Sequence, residues 1–377
     1  MTPTPGKLVI VALSGGVDSA VAALLLLRAG YRVEALHMTN WEEPDPWCTA
    51  GDDHAAARQV AAQLGIPLHH VRFEQEYRDR VFSDFLAQYR AGRTPNPDIG
   101  CNRHIKFGTM LAHARRLGAD WLATGHYARV RHGAEPALLR AVDDNKDQTY
   151  FLHAIEAAAL RHVLFPLGLL PKREVRRIAA EAGLANHARP DSTGICFIGE
   201  RPFREFLGRW ISAEPGPILS ASGQQLGQHA GLPYYTLGQR QGLNIGGQAG
   251  AVAAPWYVAA KDPARNALVV VQDPDHPLLL SRAVITRRLH WLGAAAEPGR
   301  GRWLARIRHR QPLVRCELAA APGGGIEVRF ARPVRAATPG QSVVLYEDDR
   351  CAGGGEIDVT LPAGQPPAAT LPGAATA

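Results

Sequence analysis

Short apolar runs alternate with longer amphipathic stretches through the first third of the chain. KLVIVAL (7–13), YRVEALHM (31–38), IPLHHVRF (66–73) and ADWLATGH (119–126) have the length and β-branched content of buried strands. Between them the apolar positions recur at helical spacing, which predicts helices over 20–30, 52–65, 76–92 and 109–118, the first with Ser19 or Asp18 as N-cap and Gly30 as C-cap. The stretch TPNPDIGCNRHIKFG (94–108) is rich in proline and glycine and reads as a loop. Such β-α alternation predicts a parallel sheet with right-handed crossovers. Near residue 210 the period changes. GPILSASGQQLGQHAG, PWYVAAKD, NALVVVQD, GRWLARIRHRQPLVRCEL, IEVRF and SVVLYEDDRCAGGGEI predict short antiparallel strands in two small β modules. The closing PAGQPPAATLPGAATA has the composition of a disordered tail.

Composition narrows the class. A chain of 377 residues has room for about two or three domains, and 46% hydrophobic with 20% charged residues is the balance of a globular protein. No apolar run approaches the roughly 20 residues of a membrane span. The opening MTPTPGK has no secretory signal pattern, so the expected location is the cytosol and no membrane partner is implied. A net charge of +7 hints at a polyanionic partner. The five cysteines (Cys48, Cys101, Cys196, Cys316 and Cys351) are odd in number and widely spaced, which argues against a disulfide framework. With no C-x-x-C pair and no H-x-x-x-H helix, a dedicated metal site is not expected.

Four stretches carry candidate chemistry. LSGGVDSA (13–20) leaves a strand and opens a helix; Gly15 and Gly16 let backbone N–H groups approach an anion at the positive end of that helix. An ordinary strand-to-helix turn would also want glycine. The loop lacks the lysine of G-x-x-x-x-G-K-[ST], which disfavours γ-phosphoryl transfer. Cys101 precedes Asn102, Arg103, His104 and Lys106, and nearby cations favour a thiolate. Cys196 lies in TGICFIG, where glycines permit an exposed turn. Either cysteine could instead be a small buried hydrophobe, and Asp98 in Asn96-Pro97-Asp98 could be a plain turn residue. Arg306, Arg308 and Arg310 recur with period two, which on a strand puts three guanidinium groups on one face, suited to phosphate or simply to solvent.

SGGVDS resembles the pyrophosphate loop of the ATP pyrophosphatases. Together with GRTPNPDIGCNRHIKFG (92–108), ATGHYAR (123–129), NKDQTYFL (145–152), DSTGICFIGERPFREFLGRW (191–210) and TLGQRQGLNIGG (236–247), it makes the chain similar to the tRNA-specific 2-thiouridylases up to about residue 360. The resemblance implies an α/β doubly wound, ATP-binding catalytic domain over 1–208. A small β-rich domain over 209–278 and a β-barrel over 279–362 would follow, with the tail at 363–377. It implies ATP-dependent 2-thiolation of the wobble uridine (U34) of tRNA, with Mg2+ on the phosphates. Cys196 would carry a persulfide, Cys101 would be the nucleophile that resolves it through a Cys101–Cys196 disulfide, and Asp98 would act as general acid/base. ATP would contact Ala12, Leu13, Ser14, Gly15, Gly16, Val17, Asp18, Ser19, Met38 and Gly125. The tRNA would meet Asn96, Pro97, Asp98, His126, Lys146, Asp147, Gln148, Arg308, His309 and Gln341. Expected partners are the Lys, Glu and Gln tRNAs and a sulfur-relay protein or cysteine desulfurase. Asp98, Cys101 and Cys196 could alternatively hold an iron–sulfur cluster. A ligase using the same loop, or a tRNA-binding protein without catalysis, also remains open at this point.

Overall fold

The computed structural model describes residues 6–43, 49–191, 197–198, 201–245, 254–294 and 301–363. Cys48, Cys196 and the expected tail beyond 363 lie outside the described residues.

The first sheet is parallel throughout. It contains β1 (Leu8–Ala12), β2 (Arg32–Thr39), β3 (Leu68–Arg72), β4 (Trp121–Ala123) and, after two intervening strands, β7 (Val163–Leu164), in the spatial order β3-β2-β1-β4-β7. β1 pairs with β2 from Leu8↔Arg32 to Ala12↔Leu36 and with β4 from Val9↔Trp121 to Val11↔Ala123. Val9, Ile10 and Val11 are fully buried because both faces of this central strand are covered, which is why its sequence is an unbroken apolar run. Ile10 packs with Phe85, Ile105 and Met110 on one side, and Val9 and Val11 pack with Val17, Val21 and Ala57 on the other. The strand order reverses at β1, so the carboxyl ends of β1, β2 and β4 open onto a crevice.

Helices α1 (Val17–Arg28) and α2 (Ala50–Leu64) follow β1 and β2. Two longer helices, α3 (74–90) and α4 (97–116), each contain a π-helical segment, Arg78–Phe82 in the first and Cys101–Met110 in the second. Residues 97–108 are therefore helical, not the loop that their proline and glycine suggested. Pro97 sits at the first helical position, where its missing N–H costs nothing. Cys101, Ile105, Phe107 and Met110 bury one side of the wider turn.

Beyond β4 the chain makes a hairpin, β5 (Ala128–Arg131) and β6 (Ala137–Arg140), that leaves the parallel sheet. β6 pairs instead with the strand Arg350–Glu356, at the end of a ten-stranded sheet formed mostly by the last third of the chain. That sheet surrounds its own core, including Val284, Trp303, Val328 and Leu345. The middle segment forms a four-stranded sheet over Val258, Leu268 and Val270. It is mixed: Ala267–Val271 runs parallel to Gly216–Ser220, against the all-antiparallel expectation. Helix α5 (Lys172–Glu181) returns to pack on α1.

Candidate active site

The loop after β1 sets the site. Helix α1 begins at Val17 with Gly16 as N-cap, and no side chain caps it. Ser19 and Asp18, expected as caps, lie inside the first turn; Ser19 Oγ donates to Gly16 O at 2.9 Å, and Ser14 Oγ accepts from Gly16 N at 3.3 Å. An uncapped helix start leaves backbone N–H donors and the positive dipole end available to an anion. Gly15 has φ +85°, and a Cβ there would lie 2.5 Å from Asp53 O, so only glycine permits this turn.

The loop forms one wall of a cavity of about 680 Å³. Its lining includes Ala12, Leu13, Ser14, Gly16, Val17, Asp18, Ser19, Met38, Asn40, Asp98, Lys106, Gly125, His126, Lys146, Gln148, His309 and Arg310. The switch point thus gathers most residues singled out in the sequence, from six separate stretches. Gly15 supports the loop from outside the lining.

The cation missing from the loop arrives from elsewhere. Lys172, at the start of α5, places Nζ 2.7 and 2.8 Å from the two Asp18 carboxylate oxygens and 2.7 Å from Asp191 Oδ1. Lys146 Nζ lies 2.7 Å from Asp191 Oδ2, and Arg176 donates to Asp191 at 2.6 Å. Burial opposes ionisation of Asp191, but the hydrogen bonds from Lys146 and Lys172 overcome it and hold the carboxyl well below the usual range. Tyr127 donates to Asp18 at 2.9 Å; burial and the adjacent Asp18 charge keep the phenol protonated. Lys172 escaped sequence reasoning because 154 residues separate it from Asp18 and nothing in LLPKREVRR marks it.

Asp98, on α4, also lines the cavity, and Cys101 follows it three residues later on the same helix. Burial pushes the Asp98 carboxyl up, and Lys106 only partly offsets this. Cys101 is 2% exposed and receives Asn40 Nδ2 at 3.9 Å from its sulfur. Arg103, one of the cations expected to favour its thiolate, pairs with Glu156 at 3.0 Å instead. Phe197 and Ile198 line the cavity. Phe197 is fixed among Trp41, Phe82, Phe85 and Phe206, with ring centroids 5.0–5.7 Å away. His126 bonds Thr124 Oγ1 at 2.7 Å, and burial, with Lys106 nearby, holds its imidazole neutral.

Several expected tRNA contacts have other occupations. Asp147 does not face the cavity: it is fully buried, accepting from Ala141 N, Thr149 N and Thr149 Oγ1 and pairing with Arg306 at 3.3 Å. The three-arginine strand face does not form. The strand Trp303–Arg306 ends as the repeat begins; Arg306 is 4% exposed, and Arg310 turns with φ +66°. Arg308 is half-buried and donates to Leu237 O at 2.7 Å and Thr338 Oγ1 at 3.0 Å, joining the middle and last sheets. His309 bonds Asp147 O at 3.0 Å and reaches the cavity beside Arg310. Gln341 donates to Thr94 O at 2.8 Å. Asn96 and Pro97 open α4. Among the described residues no group of three or more His, Cys, Asp or Glu side chains is arranged to hold a metal ion.

Three family models match in succession: a tRNA methyl transferase HUP domain over 7–200, a tRNA methyl transferase PRC-barrel domain over 204–272, and an aminomethyltransferase beta-barrel domain over 281–357. The chain is 55% identical to the tRNA-specific 2-thiouridylase MnmA of Alcanivorax borkumensis over 354 residues, 93% of this chain and 97% of the relative. It is 55% identical to that of Methylococcus capsulatus over 94% of this chain and 96% of the relative. For Halorhodospira halophila the figure is 54%, over 98% of each. The family models are described as methyltransferase domains and the relatives as thiouridylases; identity above half along nearly the whole length gives the relatives the greater weight. On that identity, the chain belongs to the tRNA-specific 2-thiouridylase family, a family of tRNA sulfurtransferases.

Proposed function

We propose that the chain uses ATP to convert the wobble uridine (U34) of tRNA to 2-thiouridine. The observation that carries this reading is the shared cavity. An uncapped helix start, the 12–19 loop and Asp98 border it together, and Cys101 lies against the wall residue Asn40. Its volume of about 680 Å³ suits a nucleotide with a base beside it. The loop would hold the triphosphate, and Lys172 and Lys146 would exchange their carboxylate partners for phosphate oxygens; Asp18, so released, would be placed to hold a Mg2+ that would neutralise phosphate charge. The uridine C2 oxygen attacks the α-phosphorus and pyrophosphate leaves, so that AMP becomes the leaving group at C2. The terminal sulfur of a Cys196 persulfide then adds to C2 and AMP departs. Cys101 thiolate attacks the Cys196 sulfur, breaking the S–S bond to the base; 2-thiouridine is released, and the Cys101–Cys196 disulfide awaits a reductant. Asp98, its carboxyl raised by burial, serves as the proton carrier beside the base. A sulfur-relay protein or cysteine desulfurase would load Cys196, and Lys, Glu and Gln tRNAs would be the substrates. The cytoplasm would be its site of action; among the described residues no helix is long and apolar enough to cross a membrane.

Nucleoside analysis of tRNA incubated with ATP and a persulfide donor tests the reading. ATP-dependent 2-thiouridine is expected; none, or equal amounts without ATP, overturns it. With radiolabelled sulfur, Cys196→Ser should take up no label. Cys101→Ser should be labelled at Cys196 yet release little thiolated tRNA. Label on Cys101 would reverse the two roles.

A further inference from the structure

The ten-stranded sheet reaches back to the segment that launches α4. Thr94 N donates to Pro339 O at 2.9 Å, and Gln341 Nε2 donates to Thr94 O at 2.8 Å and to Pro95 O at 3.4 Å. Gly340 sits between them with φ +93°; a Cβ there would lie 2.8 Å from Thr94 N and 2.9 Å from its carbonyl carbon and oxygen. One residue earlier, Arg93 pairs with Glu356 and donates to Ile357 O at 2.9 Å and Asp358 Oδ1 at 3.4 Å. The gripping turn is itself braced, by Gly340 N to Ile357 O at 3.0 Å and Ile357 N to Gln341 O at 2.7 Å. Thr94 Oγ1 is buried without a partner, so at Thr94 the grip acts on the backbone and not on the side chain.

Two residues beyond Thr94, Asn96 caps the helix that carries Asp98 and Cys101. A displacement at Thr94 is therefore passed along the chain into the first turns of that helix, where both residues lie. We propose that Gly340 and Gln341 are positioning residues: the last sheet holds Asp98 and Cys101 in register with the nucleotide loop, so this domain governs the rate of sulfur transfer. This goes beyond the RNA contact expected of Gln341, and its kinetic part rests on the thiolation reading above. Misplacement of a reacting group by about 1 Å can cost on the order of 10²-fold in rate.

The test uses the full-length protein with Gln341→Glu, an isosteric change that replaces the amide donor with a carboxylate, and with Gly340→Ala. Backbone hydrogen exchange over residues 93–101 should accelerate in both, with residues 13–19 unchanged as the internal reference. Single-turnover 2-thiouridine formation at saturating ATP and tRNA should slow at least tenfold, while tRNA affinity stays within about threefold. Relative to wild type at the same pH, Gln341→Glu should regain rate on acidification, because a protonated carboxyl can again donate to Thr94 O. Weakened tRNA binding with a wild-type rate at saturation would overturn the proposal and make Gln341 an RNA contact. Unchanged exchange over 93–101 would overturn it as well. Should Gly340→Ala fail to fold, Gln341→Glu still decides. Should wild type form no 2-thiouridine, the functional reading fails, while the exchange measurement still judges the grip.

Discussion

Replacing Asp147 with alanine should destabilise the junction between the first and last domains far more than it weakens RNA binding by the folded protein. The carboxylate is fully buried. It accepts from Ala141 N at 3.2 Å, from Thr149 N at 3.3 Å and from Thr149 Oγ1 at 2.9 Å, and it faces Arg140 Nε at 3.5 Å and Arg306 Nη1 at 3.3 Å. Arg306 is 4% exposed and its Nε already lacks a partner, so removing Asp147 leaves a buried guanidinium without a counter-charge. Breaking a buried pair in this way costs about 3–5 kcal/mol. Two backbone N–H groups lose their acceptor in the same step, which places the expectation at the upper end of that range. Urea unfolding followed by near-ultraviolet circular dichroism would read the loss, and tRNA affinity measured without denaturant would read the folded fraction. The double variant Asp147→Leu/Arg306→Met should recover only the share due to the unpaired guanidinium, since apolar replacement of a buried pair is often neutral while Ala141 N and Thr149 N still lack their acceptor. A loss under about 1 kcal/mol together with clearly weakened tRNA binding would refute this reasoning and return Asp147 to the RNA surface.

Lys172→Met should lower ATP-dependent pyrophosphate release by on the order of 10²-fold with tRNA affinity nearly unchanged, because it removes the cation beside Asp18; an unaltered rate would show that Lys172 is only structural. Arg308→Ala should leave the salt dependence of tRNA binding unchanged, since its guanidinium is committed to Leu237 O and Thr338 Oγ1, whereas Arg310→Ala should make the slope shallower by about 0.7–0.9; the opposite result would put Arg308 on a phosphate. Burial pushes the His153 imidazole down to about 4, so the folded state resists a proton that the unfolded chain accepts from about pH 6.5 downward. The His153 contribution should therefore be complete above pH 6.5 and fall by about 3 kcal/mol by pH 4, at about 1.4 kcal/mol per unit; the difference in urea midpoint between wild type and His153→Phe, which loses the hydrogen bond to Tyr150 O at every pH, should be constant above that window and change across it.

Local patterns in the chain were enough to locate four of the five strands of the parallel sheet; the two-residue β7 is too short to carry a pattern. A strand buried on both faces must be apolar at every position, so KLVIVAL and its partners announce themselves without reference to anything distant. The phosphate loop was legible for a similar reason: a strand, two glycines and a helix start are consecutive, and their geometry depends on neighbours in sequence. Helix α4 was misread because Pro97, Gly100 and Gly108 are judged locally as breakers, while burial of Ile105, Phe107 and Met110 against the sheet outweighs their propensity. The same limit hid Lys172, the burial of Asp147 and Arg306, and the commitment of Arg308 between two sheets. Whether a charged side chain faces phosphate, a buried partner or solvent depends on groups more than 70 residues away along the chain for each of them. No periodicity encodes such a pairing. Only tertiary packing, within the first domain for Lys172 and between domains for Arg306 and Arg308, brings the partners within hydrogen-bond distance, and desolvation then makes those pairings obligatory.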